Sequence, residues 1–183
     1  MILPIRAYGD TVLRKICDPI DPDFPDLSEL IKDMYETMDA SNGVGLAAPQ
    51  IGLPIRLFVI DTTAMYDHAK DGLRTVLINA EMIDETETPW IFEEGCLSIP
   101  HIRENVERHA RIKIRYEDEQ FKSHEKVFEG MTARVIQHEY DHIEGILFVD
   151  HISALKRRLL KGKLADITKG KISIDYRMKF PKK

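Results

Sequence analysis

The chain has 183 residues, 43% of them hydrophobic, 31% charged and 8% aromatic, which is enough for one domain with a real core and excludes disordered and fibrous classes. No run approaches the roughly 18 apolar residues needed to cross a bilayer, the opening MILPIRAYGD lacks the pattern of an export leader, and two cysteines cannot build a disulfide scaffold, so a cytoplasmic protein with no membrane partner is expected. The formal charge of −5 is unevenly spread: residues 151–183 hold 11 Lys and Arg against Asp166 and Asp175, net +9, while residues 1–150 carry net −14.

From Asp26 to Ala40, Leu27, Leu30, Ile31, Met34, Tyr35 and Met38 recur at steps of three and four, the mark of an amphipathic helix stopped by Ser41, Asn42 and Gly43. Ile55 to Asp61 and Thr75 to Asn79 are short β-branched runs that read as strands. Between Arg108 and Tyr116, Ala110, Ile112, Ile114 and Tyr116 alternate with Arg111, Lys113 and Arg115, the two-residue period of a half-exposed strand, and Glu125 to Glu129 is expected to pair nearby. Helical period returns from Thr132 to Glu144, with Gly145 placed for a left-handed cap. A helix from Ser153 to about Ala165 and a strand from Lys171 to Tyr176 complete the chain. No repeat, low-complexity segment or Gly/Ser linker intervenes, so residues 1–183 are expected to form a single domain. The fold class is α+β: largely antiparallel sheets around a central HExxH helix, with an N-terminal helix and a C-terminal helix and strand tail.

His138, Glu139, Tyr140, Asp141 and His142 spell H-E-x-x-H within the expected helix. Four residues at about 100° each bring the two imidazoles to one face, one turn apart, where they can share an ion. Glu139 beside them suits a general base. A chance match arises about once in fifty chains of this composition, and its bland reading is two solvated histidines on a polar helix face.

A catalytic metal normally has three protein ligands and one open position, so a third donor is required. In the longer metalloprotease pattern H-E-x-x-H-x-x-G-x-x-H the last place falls on Phe148, and no glutamate follows Glu144. His151, Asp150, Asp166, Asp175 or an upstream residue remain. Cys96, in Glu93-Glu94-Gly95-Cys96-Leu97-Ser98, would complete a thiolate and two-imidazole set suited to Zn²⁺ or Fe²⁺. The same cysteine also admits a nucleophile reading with a histidine base, or that of a small buried hydrophobe, which is the reading for Cys17.

Gly43-Val44-Gly45-Leu46-Ala47-Ala48 formally matches a dinucleotide fingerprint, but a helix precedes it and Pro49 follows, so that reading fails. Closely spaced glycines more simply let a backbone approach a substrate. The Gln50 amide that ends the segment either donates to a developing oxyanion or is an ordinary loop side chain.

Three segments, Gly43-Val44-Gly45-Leu46-Ala47-Ala48-Pro49-Gln50, Glu94-Gly95-Cys96-Leu97-Ser98 and Gln137-His138-Glu139-Tyr140-Asp141-His142, together resemble the three motifs of the peptide deformylases, and the likeness extends over roughly residues 4–155. The resemblance implies removal of the formyl group from N-formylmethionyl nascent polypeptides. It implies Cys96, His138 and His142 as ligands of one divalent ion, Fe²⁺ natively with Zn²⁺, Ni²⁺ or Co²⁺ as substitutes. It also implies Glu139 as general base and acid, with the Gln50 side chain and Leu97 N–H stabilising the oxyanion. Gly45 would contact substrate backbone, and Val44, Glu94, Arg103 and Val135 match positions near the substrate or supporting the site. The tail after the last helix, KGKISIDYRMKFPKK, departs from the family pattern; for the basic segment 151–183, contact with ribosomal RNA stands beside the bland reading of a solvated helix face and a loose terminus, and specific DNA binding is not expected. A metallopeptidase, or a non-catalytic metal-stabilised relative on the ribosome, are the alternatives.

Overall fold

The computed structural model describes residues 1–181. In chain order, a two-residue strand β1 (Ile5–Arg6) precedes helix α1 (Leu27–Ala40), then come β2 (Gly45–Ala47), β3 (Leu57–Asp61) and the long β4 (Arg74–Thr86). A hairpin of β5 (Trp90–Cys96) and β6 (Ile99–Arg108) is followed by β7 (Arg111–Glu117), β8 (Ser123–Glu129), helix α2 (Gly130–Ile143), helix α3 (Ala154–Thr168) and β9 (Met178–Lys179).

Five strands form one antiparallel sheet in the order β2-β3-β4-β7-β8. The β5–β6 hairpin stands apart as a second, two-stranded antiparallel sheet, and β1 pairs in parallel with β9. The alternation read in β7 is physical: Ile112, Ile114 and Tyr116 are buried while Lys113 and Arg115 between them are exposed. In α1 the helical period buries Ile31, Met34 and Met38 against Leu46, Leu57, Val59 and Ile78 of the sheet.

Helix α2 is covered on both sides. Ala133, Val135, Ile136 and Ile143 pack with Phe58, Ile60, Leu77, Ile112 and Ile114 of the sheet. Arg134 reaches the other way to the hairpin, donating to Glu94 Oε1 at 2.6 Å, Val106 O at 3.1 Å and Trp90 O at 2.6 Å, with its guanidinium 4.2 Å over the Trp90 ring. The solvated-face reading of H-E-x-x-H therefore does not hold: Glu139 is 4% and His142 1% exposed. Gly145 ends the helix in the left-handed region, φ +73°, as its position suggests.

One expectation is corrected: the terminal strand lies at Met178–Lys179 rather than Lys171–Tyr176. The β5–β6 hairpin adds to the elements read from the sequence. Ile172, Ile174 and Tyr176 do alternate in burial with exposed Lys171, Ser173 and Asp175, but alternation reports which side chains are covered and not whether the backbone finds a ladder partner.

Candidate metal centre and its cleft

Three elements deliver the site. The turn closing β5 onto β6 supplies Cys96, helix α2 supplies His138, Glu139 and His142, and β2 with the 3-10 turn after it supplies Gly45 and Gln50. Cys96 Sγ and the two imidazoles bring their donor atoms within 4.8 Å of one another, with Sγ 3.3 Å from His142 Nε2. Such a thiolate and two-imidazole set fits a borderline divalent ion, with room for a further ligand on the open side.

Each donor is oriented from behind. His138 Nδ1 lies 3.0 Å from Glu94 Oε2, which leaves Nε2 for the cluster. Glu94 also accepts from Arg108 Nε at 2.7 Å, and Arg108 in turn donates to Asp141 Oδ2 at 2.8 Å, while His151 Nε2 lies 2.7 Å from the same oxygen. Burial alone would raise the Glu94 carboxyl, but hydrogen bonds from His138 and Arg108 hold it well below the carboxylate range. His142 is pushed down to about 3 by burial, then by the neighbouring His138, so its imidazole is neutral. Burial also lowers His138, yet Cys96 and Glu94 outweigh it and hold that ring well above its usual value.

Glu139 is pushed up to about 7 by burial, and its Oε2 has no hydrogen-bond partner among the described residues. A carboxyl poised near neutrality can both take and give a proton. Gln50 is held in a fixed sense, because its Oε1 accepts from Ala47 N–H at 2.8 Å and thereby turns Nε2 toward Cys96 Sγ at 3.5 Å and Ser98 Oγ at 3.3 Å.

Gly45, Gln50, Cys96, His138 and Glu139 line a cleft of about 580 Å³. Val44 and Val135 form apolar wall, and Leu97 lies at the turn beside Cys96. Arg103 is at the exposed mouth, paired with Glu93 at 2.8 Å, whereas Glu94 is 6% exposed and turned to its buried partners. The alternative ligands lie elsewhere: Asp150 pairs with Arg14 at 2.5 Å, and His151 is engaged by Asp141. Phe148 instead stacks on His138, ring centroids 6.2 Å apart. Cys17 is buried, its thiol raised to about 11 by burial, and inert.

Met65, Phe92 and Met131 also line the cleft and are not singled out by the sequence. Phe92, four residues before Cys96 in the apolar run Trp90-Ile91-Phe92, was a readable signal; Met65, on an isolated turn, offered none. The supporting arginines Arg108 and Arg134 were likewise missed, since charged residues in strand and helix read as solvent-facing.

The family model for polypeptide deformylase matches residues 2–158. A peptide deformylase of Christiangramia forsetii is 54% identical, covering 99% of this chain and 97% of the relative. The crystal structure of a peptide deformylase from Legionella pneumophila superposes with a TM-score of 0.82 at 38% identity, covering 93% of this chain and 98% of that one. A Met-Ala-Ser-bound class I type b peptide deformylase from Acinetobacter baumannii does so with a TM-score of 0.75 at 34% identity, over 83% of this chain and 99% of that one. On the matched span, the relatives and the fold, this chain belongs to the polypeptide deformylase family.

Proposed function

We propose that the chain is a metal-dependent hydrolase that removes the formyl group from the N-terminal N-formylmethionine of newly synthesised proteins, with residues 1–183 as one catalytic domain acting in the cytoplasm. One observation carries the reading: a Cys96, His138 and His142 donor set within 4.8 Å, directly beside a buried carboxyl with an unpartnered oxygen. A divalent cation held there supplies Lewis acidity and brings the pKa of a water ligand toward neutrality. Ferrous iron is proposed as the native ion, with Zn²⁺, Ni²⁺ or Co²⁺ able to replace it, since a mixed sulfur and nitrogen set accepts all four.

Around that centre the chain's own groups divide the work. The formyl amide enters the cleft with its carbonyl oxygen toward Gln50 Nε2 and the Leu97 N–H, two donors that gain strength as negative charge grows on that oxygen. Glu139 takes the proton of the attacking water on a carboxylate oxygen. As the C–N bond breaks, the same proton passes to the leaving amine, so formate and a free methionyl N-terminus result. Gly45 offers backbone to the peptide, Val44 and Val135 supply apolar wall for the methionine side chain, Arg103 stands at the mouth, and Glu94 orients His138. The Met-Ala-Ser bound to the Acinetobacter baumannii relative has the sequence expected of a product of this reaction.

The basic segment is proposed to meet ribosomal RNA. Lys156, Arg157, Arg158, Lys161 and Lys163 are exposed along α3, and a polyanion would gain from releasing counterions there.

The experiment is formate release from formyl-Met-Ala-Ser by wild type and Glu139→Gln. The variant is expected to keep its metal and lose about 10²- to 10⁴-fold in turnover. Cleavage of an internal peptide bond by the wild type, or full turnover by the variant, would contradict the reading.

A further inference from the structure

The segment after α3 returns across the molecule to the site. Ile5 and Ala7 N–H donate to Arg177 O and Lys179 O at 2.9 and 3.0 Å as β9 runs beside β1. On the way, Tyr176 reaches the turn between β5 and β6, and its hydroxyl donates to Leu97 O at 2.8 Å. Its ring packs into the cluster that also holds Leu97, Leu46 and Met38.

That turn is only two residues long, since Cys96 already pairs with Ile99. Both of its carbonyls are taken: Leu97 O by Tyr176, and Ser98 O by Tyr8 N–H at 2.8 Å. Its side-chain hydroxyl, Ser98 Oγ, is held by Gln50 Nε2 at 3.3 Å. The N-terminal and C-terminal segments thus grip the same short turn from outside the cleft while Gln50 grips it from within. Tyr176 lies beyond residue 158, where the match to the family model ends.

The Leu97 carbonyl lies in the Leu97–Ser98 peptide plane, so the hydrogen bond restrains that plane and, through the short turn, the adjoining plane that carries the Leu97 N–H. With the turn closed at Cys96 and Ile99, little freedom is left for the Leu97 N–H. A donor's contribution falls steeply once its angle drops below about 120°, so a turn that rocks loses oxyanion stabilisation without losing substrate binding.

We propose that Tyr176 is a positioning residue for the reaction: its hydroxyl on the Leu97 carbonyl holds the Leu97–Ser98 turn so that the Leu97 N–H and Cys96 Sγ keep their aim into the cleft. This rests on the reading of Leu97 given above. Burial pushes the Tyr176 phenol up, which keeps it a neutral donor throughout the working range of pH.

The test uses the full chain as wild type, Tyr176→Phe and Tyr176→Leu, loaded with the same metal and normalised to metal bound per chain. Tyr176→Phe keeps the ring and removes only the donor. Its kcat on formyl-Met-Ala-Ser is expected to fall about tenfold with KM within about twofold, because the lost contribution belongs to the transition state. In the metal-free proteins, hydrogen exchange at the Leu97 and Ser98 amides should accelerate while β1 and α1 exchange at the wild-type rate. Tyr176→Leu should show the same kcat loss with a lower melting temperature added. Wild-type kcat in Tyr176→Phe, a change confined to KM, unaltered exchange at residues 97 and 98, or acceleration spread through β1 and β9 would each overturn the proposal. Failure of the wild type to release formate would instead strike the functional reading, and the exchange measurement would still report on the Tyr176 anchor by itself.

Discussion

A methyl group at Gly45 would lie 2.3 Å from Glu139 Oε1 and 2.7 Å from its Cγ, so the backbone of β2 and the proposed base share a space that only glycine leaves open. The β2 strand thereby sets where the carboxylate stands relative to Cys96 and the histidines. Gly45→Ala should displace Glu139, and displacement of a catalytic group by about 1 Å costs on the order of 100-fold. Steady-state kinetics on formyl-Met-Ala-Ser check this; kcat/KM within twofold of wild type would mean that the carboxylate has slack the packing denies it. The sequence held part of this information. Two glycines around Val44 signal a close approach of backbone to something, but only the fold shows that Glu139 is among the groups approached.

At the scale of elements, α2 was legible because two signals coincide on it, the helical period and H-E-x-x-H. Gly145 closes it, with φ at +73° and a Cβ that would come within 2.7 Å of Arg14 O. Gly145→Ala combines left-handed strain with a backbone clash, and a loss of about 1–3 kcal/mol is expected in urea unfolding. Unchanged stability would contradict that packing. The β5–β6 hairpin was opaque for a related reason. In β6 burial alternates from Pro100 to Arg108, but the inward places fall to Pro100, Ile102, half-buried Glu104, Val106 and Arg108, so polarity does not follow the alternation. Arg108 ends the strand 5% exposed, a charge that a polarity pattern assigns to solvent and that Glu94 and Asp141 make tolerable inside. The tail failed in the opposite sense: its alternation is present in burial, but the ladder forms two residues further on.

Across the whole molecule, the division between an acidic body and a basic end could be read from composition, and α3 carries that charge on an exposed helix. Lys156 pairs with Glu104 at 2.9 Å and Arg157 approaches Asp150 at 4.0 Å, so α3 is tied to the body as well as displayed from it. Reversing Lys156, Arg157, Arg158 and Lys161 to Glu should remove salt-sensitive cosedimentation with ribosomes while formate release from a short peptide persists. Binding unaffected by the reversal would rule out this surface. Long-range assembly is what local pattern could not supply. Cys96 lies 42 residues from His138 in the chain, and its place in the cluster depends on a hairpin that no periodicity announced.

The central claim, one ion shared by Cys96, His138 and His142, is tested most directly by X-ray absorption at the metal edge of the zinc-loaded protein. One sulfur at about 2.3 Å and two imidazole nitrogens at about 2.0–2.1 Å are expected, with the sulfur lost in Cys96→Ser. A first shell without sulfur in the wild type would contradict the account.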